Sequence, residues 1–257
     1  MRFKSLGSGS MGNALVIESA SVQGAVTRIL VDCGFTQKEL VMRLAAAGLQ
    51  PADLSAVFIT HEHSDHLGCA FKFTQRWGIP LWMSEGTAMS LESVASGVQF
   101  AHDGRSFEIG HLRLTPFTVP HDAREPLQLR VEDHRSRLGV LTDLGQPTDY
   151  VIRNIYNCHA LFLESNHEPE LLARSSYPVW LKRRVSGALG HLSNQVAADI
   201  LREIRHSALQ QVVAAHLSQQ NNQPEYVTQL FAPLLGCAPE QVCIADADSG
   251  TPWIDIH

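Results

Sequence analysis

The feature that most constrains this fold is the stretch FITHEHSDHLGC, residues 58–69, in which an apolar run passes directly into three histidines, a glutamate and an aspartate. An apolar run bounded in this way is typical of a buried β-strand. Burying imidazoles and carboxylates is costly unless they are paired or bind a metal ion. Imidazole nitrogen and carboxylate oxygen suit zinc and, with less preference, manganese or iron, so the stretch predicts a metal site at the end of a strand.

The candidate ligands within this stretch are His61, His63, Asp65 and His66. Side chains alternate along a strand, so His61 and His63 can point the same way. A turn after them can bring Asp65 and His66 round to face them, whereas Glu62 would point away. The alternative, a solvated polar loop, is disfavoured because His-x-His-x-Asp-His rarely arises by chance.

Three further strands are predicted to end in a residue of ligand type. His121 follows FTVP, Asp143 follows LGVLT, and His216 follows QVVAA. Taken singly, His121 or Asp143 could equally be a turn or cap residue. Taken together, they indicate several strands that end at one edge of a sheet, where their side chains would meet those of the first stretch.

Hydrophobic periodicity predicts strands separated by helices along the whole chain. Strands are expected at residues 14–19, 28–34, 56–61, 79–84, 127–132, 138–142, 160–164 and 211–216, with a β-meander over 106–119. Helices are expected at residues 36–47, 67–77, 85–95, 193–205 and 224–235. The strands come in runs with helices interposed, which suits helices packed on the outer faces of two sheets. No linker or repeat is apparent, so residues 1–257 are predicted to form a single domain.

These residues and their order resemble the metallo-β-lactamase-fold hydrolases. The resemblance implies an α/β (α+β) fold, a four-layer αββα sandwich of two mixed β-sheets flanked by helices, with a dinuclear centre at one edge. It implies His61, His63 and His121 as ligands of one metal, Asp65, His66 and His216 as ligands of the other, and Asp143 as the bridge. Two divalent ions about 3.5–4 Å apart can hold a bridging hydroxide. Zinc or manganese is expected, and iron is possible.

The resemblance also implies a role for Asp32 and a second role for Asp65. Asp32, in ILVDCG, matches an aspartate that fixes the tautomer of a metal-ligating histidine. An ordinary turn aspartate before a glycine is the alternative. Asp65, besides binding metal, is expected to take part in catalysis together with His191.

The segment VWLKRRVSGALGHLSN points to a phosphodiester substrate. In the phosphodiesterase branch that it resembles, a histidine in such a setting contacts the scissile phosphate, so His191 would stabilise the transition state or protonate the leaving oxygen. Ser193 is a plausible helix N-cap. Lys182, Arg183 and Arg184 suit phosphate oxygens, although a short charge run is more often a solvated face.

Several blocks resemble a narrower group, the YycJ (WalJ) type of bacterial nucleases: GSGSMGN, ESNHEPELL, the KRR segment above, and AHLSQQNNQPE. This resemblance implies a 5′→3′ exonuclease on DNA rather than RNA. The additional substrate-binding candidates are Ser193, Ser10, Asn13 and His167, the last with no defined role, while Ser8 could also contact the site.

The length of chain between two predicted ligands excludes one kind of inserted domain. Only 72 residues lie between Asp143 and His216, too few for the inserted β-CASP domain of larger RNA-processing relatives. Three alternatives therefore stay open: a phosphodiesterase for cyclic ribose phosphates, a lactonase or thioesterase of the same fold, and a non-catalytic metal-binding module.

The composition of the chain limits the kinds of partner that it can bind. The net charge of −6 gives no global attraction to nucleic acid or to an anionic membrane, so a nucleic-acid substrate would need a local basic patch or metal ions. No membrane association is expected. The five cysteines form no C-x-x-C pair, and no apolar leader is visible, which predicts a cytoplasmic protein in a reducing compartment.

Overall fold

Two seven-stranded β-sheets form the interior of the part of the chain that the computed structural model describes, residues 1–90 and 97–257. The first sheet has the spatial order β14 (Ile254–Asp255), β1 (Arg2–Gly7), β2 (Ala14–Ala20), β3 (Val26–Val31), β4 (Ala56–Phe58), β5 (Leu81–Met83) and β6 (Val98–Phe100). The second has the order β13 (Cys243–Ile244), β12 (Gln211–Ala215), β11 (Ala160–Glu164), β10 (Arg137–Leu141), β9 (Leu127–Glu132), β8 (Leu112–Thr118) and β7 (Phe107–Ile109).

Both sheets are mixed, with antiparallel pairs at one side and parallel pairs at the other. β3 to β6 are parallel in the first sheet, and β10 to β13 are parallel in the second. Parallel strands end at the same edge of a sheet. The carboxyl ends of β3, β4, β10, β11 and β12 therefore carry most residues of the site described below, and one more residue of the site, His121, follows β8.

Nine α-helices lie between the strands along the described residues. They are α1 (Gln37–Ala46), α2 (Ser64–Leu67), α3 (Ala70–Trp77), α4 (Glu85–Met89), α5 (Asp149–Ile155), α6 (Pro169–Arg174), α7 (Val179–Val185), α8 (Asn194–Ile204) and α9 (Pro224–Leu235). Among the described residues, no helix combines the length and the apolar character needed to cross a bilayer.

Three apolar layers hold the sandwich together. The central layer lies between the sheets, where Phe58 of β4 and Leu129 of β9 belong to one buried cluster. A second cluster joins the first sheet to α1 and α3, and a third joins the second sheet to α5, α8 and α9. This order of helix, sheet, sheet and helix confirms the predicted αββα sandwich.

The predicted helix over 67–77 is interrupted in the structure. α2 ends at Gly68, which adopts a φ of 37°, and α3 begins at Ala70. A β-carbon at Gly68 would lie 2.3 Å from the carbonyl oxygen of Cys33, so the chain is in tight contact with the end of β3 there. The prediction also placed a helix at 85–95; α4 covers its first five residues, and residues 91–95 lie outside the described part.

Candidate metal-dependent active site

The site lies at the carboxyl ends of strands from both sheets, and three of its residues adopt an uncommon backbone conformation. Asp32, Asp143 and His216 follow β3, β10 and β12 and have φ values of 65°, 53° and 54°. Positive φ is unfavourable for residues other than glycine and is typical of functional sites whose surroundings enforce it. At each of these positions the strand ends abruptly and the side chain turns into the site.

The stretch after β4 contains the predicted turn that brings its candidate ligands together. β4 itself ends at Phe58, and the chain bends at Glu62 and His63 just before the single turn α2. That turn carries Asp65 and His66 back towards His61 and His63. Glu62 points away and accepts a hydrogen bond from the backbone N–H of Arg124 at 2.7 Å, which fixes the loop after His121.

His61, His63 and His121 form one group whose ring nitrogens lie within 4.8 Å of one another. Nε2 of His63 lies 3.2 Å from the carbonyl oxygen of Asp122, and Nδ1 of His121 lies 3.1 Å from that of Gly190. Because these carbonyls can only accept, each histidine uses that nitrogen as the donor. Nδ1 of His63 and Nε2 of His121 then each carry a lone pair, and these lone pairs face each other because the two nitrogens are 3.3 Å apart.

Asp65, His66 and His216 form the second group, whose ligand atoms also lie within 4.8 Å of one another. Oδ2 of Asp65 is 3.4 Å from Nε2 of His66 and 3.5 Å from Nε2 of His216. Asp143 lies between the two groups, with Oδ2 at 2.8 Å from Nε2 of His66 and Oδ1 at 3.9 Å from Nε2 of His121. The structure thus brings all seven predicted ligands together.

Asp32 holds His66 from behind. Its Oδ2 accepts a hydrogen bond from Nδ1 of His66 at 2.8 Å, and its Oδ1 accepts from the backbone N–H of Thr60 at 2.9 Å. The hydroxyl of Thr60 also contacts both Asp32 and Nδ1 of His61 at 3.0 Å. These contacts leave Nε2 of His66 directed at Asp143 and Asp65.

Two ligand atoms are buried without a hydrogen-bond partner among the described residues: Nε2 of His61 and Nε2 of His216. Leaving a buried polar atom unpaired costs about 1–3 kcal/mol. A divalent cation would satisfy these atoms and would also relieve the opposed lone pairs of His63 and His121. The residues present therefore fit divalent metal ions.

The pKa shifts of the ligand residues also favour bound cations. Burial raises the pKa of Asp143, but the neighbouring His216 and His66 lower it by more, and it ends well below its usual range. Burial lowers the pKa of His66, yet Asp143 and Asp32 raise it well above normal. Burial holds the pKa of His61 well below normal, which favours the neutral imidazole that binds metals. Bound cations would replace the proton on His66.

Glu164, at the end of β11, links a further histidine to this site. The glutamate is fully buried, and its Oε1 accepts from Nδ1 of His191 at 2.8 Å and lies 3.2 Å from Nδ1 of His216. Its Oε2 accepts from the backbone N–H groups of Leu144 and Leu192 at 2.8 and 3.3 Å. Nδ1 of His191 also lies 3.3 Å from Oδ1 of Asp143, so His191 borders the ligand cluster.

The basic segment lies on α7, and its three cations are held differently. Arg184 forms an ion pair with Asp122, with Nε at 2.5 Å from Oδ2. Lys182 donates to the carbonyl oxygen of Ala173 at 2.6 Å. Arg183 is exposed. Lys182 and Arg183 line a cavity of about 610 Å³ that also reaches His191.

This space, called the α7 cavity below, lies between α6, α7 and the first turn of α8. Its lining residues are Gly145, His167, Pro169, Leu172, Ala173, Val179, Lys182, Arg183, Ser186, His191, Ser193 and Val196. Ser193 is also the N-cap of α8, as predicted, and accepts from the backbone N–H of Val196. His167 and Ser193 are thus brought to one cavity with His191.

The N-terminal loop approaches the ligands from another side. Nδ2 of Asn13 lies 3.3 Å from Oδ2 of Asp65, and Oγ of Ser8 accepts from the backbone N–H of His216 at 2.9 Å. Asn13 is 5% exposed, so it contacts the ligand groups directly. Ser10 is exposed in the same loop, and no contact to the ligand residues is seen for its hydroxyl.

Three residues of the site were not found from the sequence. Glu164 ends the apolar run ALFLE, which is the same pattern that revealed Asp143 and His216, so a signal for it existed. Asp122 and Thr60 are adjacent to predicted ligands, but nothing in their sequence setting distinguishes them from ordinary loop residues.

Comparisons with known proteins agree with the fold and the site. The β-lactamase superfamily domain matches residues 27–217. The metallo-β-lactamase fold protein YhfI from Bacillus subtilis superposes with a TM-score of 0.74 at 16% identity, with 99% of each chain covered. Two seven-stranded sheets with histidines and carboxylates at a shared edge therefore define a protein of the metallo-β-lactamase fold.

Two curated relatives are more specific. Exodeoxyribonuclease WalJ of Streptococcus pneumoniae serotype 2 (strain D39 / NCTC 7466) is 30% identical over 99% of this chain and 98% of its own length. Exodeoxyribonuclease YycJ of Bacillus anthracis is 29% identical over 88% of this chain and 85% of its own. The chain belongs to the β-lactamase superfamily and, within it, to the family of WalJ and YycJ.

Proposed function

We propose that this chain is a metal-dependent exonuclease that hydrolyses DNA from its 5′ end. In this proposal the cofactors are two divalent ions, zinc or manganese. His61, His63 and His121 would hold one ion, and Asp65, His66 and His216 would hold the other. Asp143 lies between the two groups and would contribute to both. The observation that carries the proposal is the convergence of two ligand groups on Asp143, with buried nitrogen atoms of His61 and His216 that lack hydrogen-bond partners among the described residues.

Divalent ions held by this donor set would supply Lewis-acid activation of a phosphodiester and of water. The protein's own contribution centres on His191, whose Nδ1 is held by Glu164, so that Nε2 is free to meet a phosphate oxygen. Burial lowers the pKa of His191, but Glu164 raises it by more, so the ring keeps a proton to donate from Nε2. That proton goes to the leaving oxygen.

Asp65 is the second residue with a catalytic role in this proposal. Burial raises its pKa, but His66 and His216 hold it far below its usual range, so the carboxylate stays ionised. Asn13 steadies it from the N-terminal loop. An ionised carboxylate at this position can accept a hydrogen bond from the attacking water and hold it in line with the phosphorus.

The choice of DNA rests on the names of two relatives, and the α7 cavity supports a nucleic-acid substrate of either kind. Both curated relatives carry the name exodeoxyribonuclease. The α7 cavity brings Lys182 and Arg183 next to His191, and cations of this kind position a phosphate backbone without reading its sequence.

Metal-dependent turnover of bis(p-nitrophenyl) phosphate tests the hydrolase. We expect the metal-free protein to be inactive, activity to return with Mn²⁺ or Zn²⁺, and His63→Ala to lose at least about 100-fold in kcat. His134→Ala, an exposed histidine in the β9–β10 turn, is the matched control and keeps full activity. End-labelled single strands of DNA and RNA of one sequence then separate the substrates. Faster loss of the RNA, or cleavage of cyclic nucleotides alone, would contradict the proposal.

A further inference from the structure

The α7 cavity has the properties of a site for one nucleotide. Its volume of about 610 Å³ lies within the roughly 300–1,000 Å³ that small-molecule pockets occupy. Leu172, Val179 and Val196 give it apolar walls, and Leu172 is 3% exposed. It borders the ligand cluster through His191, which lines both.

The charged side chains that line the cavity favour an anionic ligand. Lys182 and Arg183 line it, and no aspartate or glutamate is among its lining residues, although the chain as a whole has a net charge of −6. The ammonium of Lys182 donates to one carbonyl and retains further N–H groups, whereas Arg184 is occupied by Asp122. The first turn of the eleven-residue helix α8 adds a partial positive charge at Ser193.

His167 forms part of the cavity wall. It lines the cavity, is 3% exposed, and its Nδ1 has no hydrogen-bond partner among the described residues. Its backbone is fixed, since the N–H of Asn194 donates to its carbonyl oxygen at 2.9 Å. Nδ1 itself is shielded from the cavity, so His167 contributes a fixed part of the wall beside His191.

We propose that the α7 cavity binds the 5′-terminal nucleotide of the DNA strand, an inference that rests on the function proposed above. The base lies against the apolar walls, and the terminal phosphate lies at Lys182 and Arg183. A 5′ end brings a phosphate dianion to these cations, whereas a 3′ end brings only a hydroxyl. The cavity therefore accounts for attack from the 5′ end.

The proposed hydrolysis needs no reactant besides the DNA strand and water. The water oxygen bonds to the phosphorus that follows the bound nucleotide, the bond from that phosphorus to the 3′-oxygen breaks, and the 3′-oxygen takes up a proton. The products are a nucleoside 5′-monophosphate and a strand one residue shorter. Because the shortened strand carries a new 5′-phosphate, its end fits the same cavity in the next cycle.

Calorimetric titration of the Mn²⁺-loaded full chain tests this proposal without catalysis. The probe is thymidine 3′,5′-bisphosphate, which offers one phosphate to the metal centre and one to the cavity. We expect it to bind at least ten-fold tighter than thymidine 3′-monophosphate and inorganic phosphate. Val179→Trp, which fills the rim at a side chain that is 65% exposed, and Arg183→Gln should each remove most of this difference.

Two surface variants serve as matched controls: Val22→Trp, at an 82% exposed valine between β2 and β3, and Arg113→Gln, at an arginine whose side chain is 61% exposed. Both should bind the bisphosphate as the unaltered protein does. Equal binding of bisphosphate and 3′-monophosphate, or unchanged binding by Val179→Trp, would overturn the cavity assignment even if DNA is hydrolysed. Tight, cavity-dependent binding in a protein that hydrolyses no phosphodiester would instead overturn the proposed function and leave the nucleotide site standing.

Discussion

Oε1 of Glu164 accepts a hydrogen bond from Nδ1 of His191 at 2.8 Å, at a position where the glutamate is completely buried. The other carboxylate oxygen is held by two backbone N–H groups, so the side chain cannot rotate away. Glu164 therefore sets both the orientation and the tautomer of His191, which borders the ligand cluster and the α7 cavity.

Replacing Glu164 with glutamine should lower kcat by about 10- to 100-fold, as is usual when the partner of a catalytic or metal-bound histidine is lost. Glu164 raises the pKa of His191, so its removal lowers that pKa. Activity that depends on protonated His191 is lost as pH rises through this pKa, and the alkaline limb of the pH–kcat profile should move to lower pH. Glu108→Gln, with a side chain that is 66% exposed, is the control. An unchanged kcat and alkaline limb would contradict this role.

Replacing Asp32 with asparagine should weaken metal binding by about 10- to 100-fold. The carboxylate uses one oxygen for Nδ1 of His66 and the other for the N–H of Thr60, whereas an amide has only one acceptor oxygen for the two donors. Competition with a chromogenic chelator measures the affinity. The exposed Asp255→Asn serves as the matched variant and should bind metal normally. Equal affinities for the two variants would mean that Asp32 is an ordinary turn residue.

Gly34 should tolerate no side chain. A β-carbon there would lie 1.7 Å from the carbonyl oxygen of Asp65, so Gly34→Ala must push α2 away from β3. We expect a loss of about 1–3 kcal/mol or more in the free energy of unfolding, together with weaker metal binding. Gly24→Ala has open space around the new methyl group and meets only the strain of its φ of 86°. Urea unfolding compares the two, and equal losses would argue against close packing at Gly34.

Asp133 makes the stability of the fold depend on pH in a defined window. It accepts hydrogen bonds from Ser19 of the other sheet and from the backbone N–H groups of Arg135 and Ser136. Burial raises its pKa, but these bonds lower it by more, to about 2. A lowered pKa contributes stability above the unfolded value of about 3.9 and loses it as pH falls towards 2.

Asp133→Asn should therefore destabilise the protein by about 1 kcal/mol. The difference from the unaltered protein should be the same at pH 7 and pH 5 and should begin to shrink only below about pH 4. Urea unfolding at these pH values measures it. A difference that already vanishes between pH 7 and pH 5 would show that the ionised Asp133 is not responsible.

The sequence predicted the residues that recur at strand ends, and physical chemistry explains why. Apolar runs that stop at His121, Asp143 or His216 combine a strong periodic signal with an uncommon residue type, so both the strand and its terminal side chain can be recognised. α9 was predicted with its observed bounds because Pro224 and Gly236 mark its start and end.

Other elements lack such signals. α5, α6 and α7 have six or seven residues each, too short for a clear helical period, and they were not predicted. The positive φ of Asp32 and the pairing of Arg184 with Asp122 arise from tertiary contacts between distant segments. The α7 cavity depends on how α6, α7 and α8 pack together, which no local pattern specifies.

Product analysis with end-labelled DNA tests the central claim most directly. A 5′-phosphorylated linear single strand, labelled at its 3′ end, is incubated with the Mn²⁺-loaded protein beside a circular single strand of the same sequence. We expect nucleoside 5′-monophosphates as the first products, a 3′-labelled strand that shortens one residue at a time, an intact circle, and no reaction after chelation of the metal. Internal cleavage of the circle, or hydrolysis that persists without metal, would contradict the account.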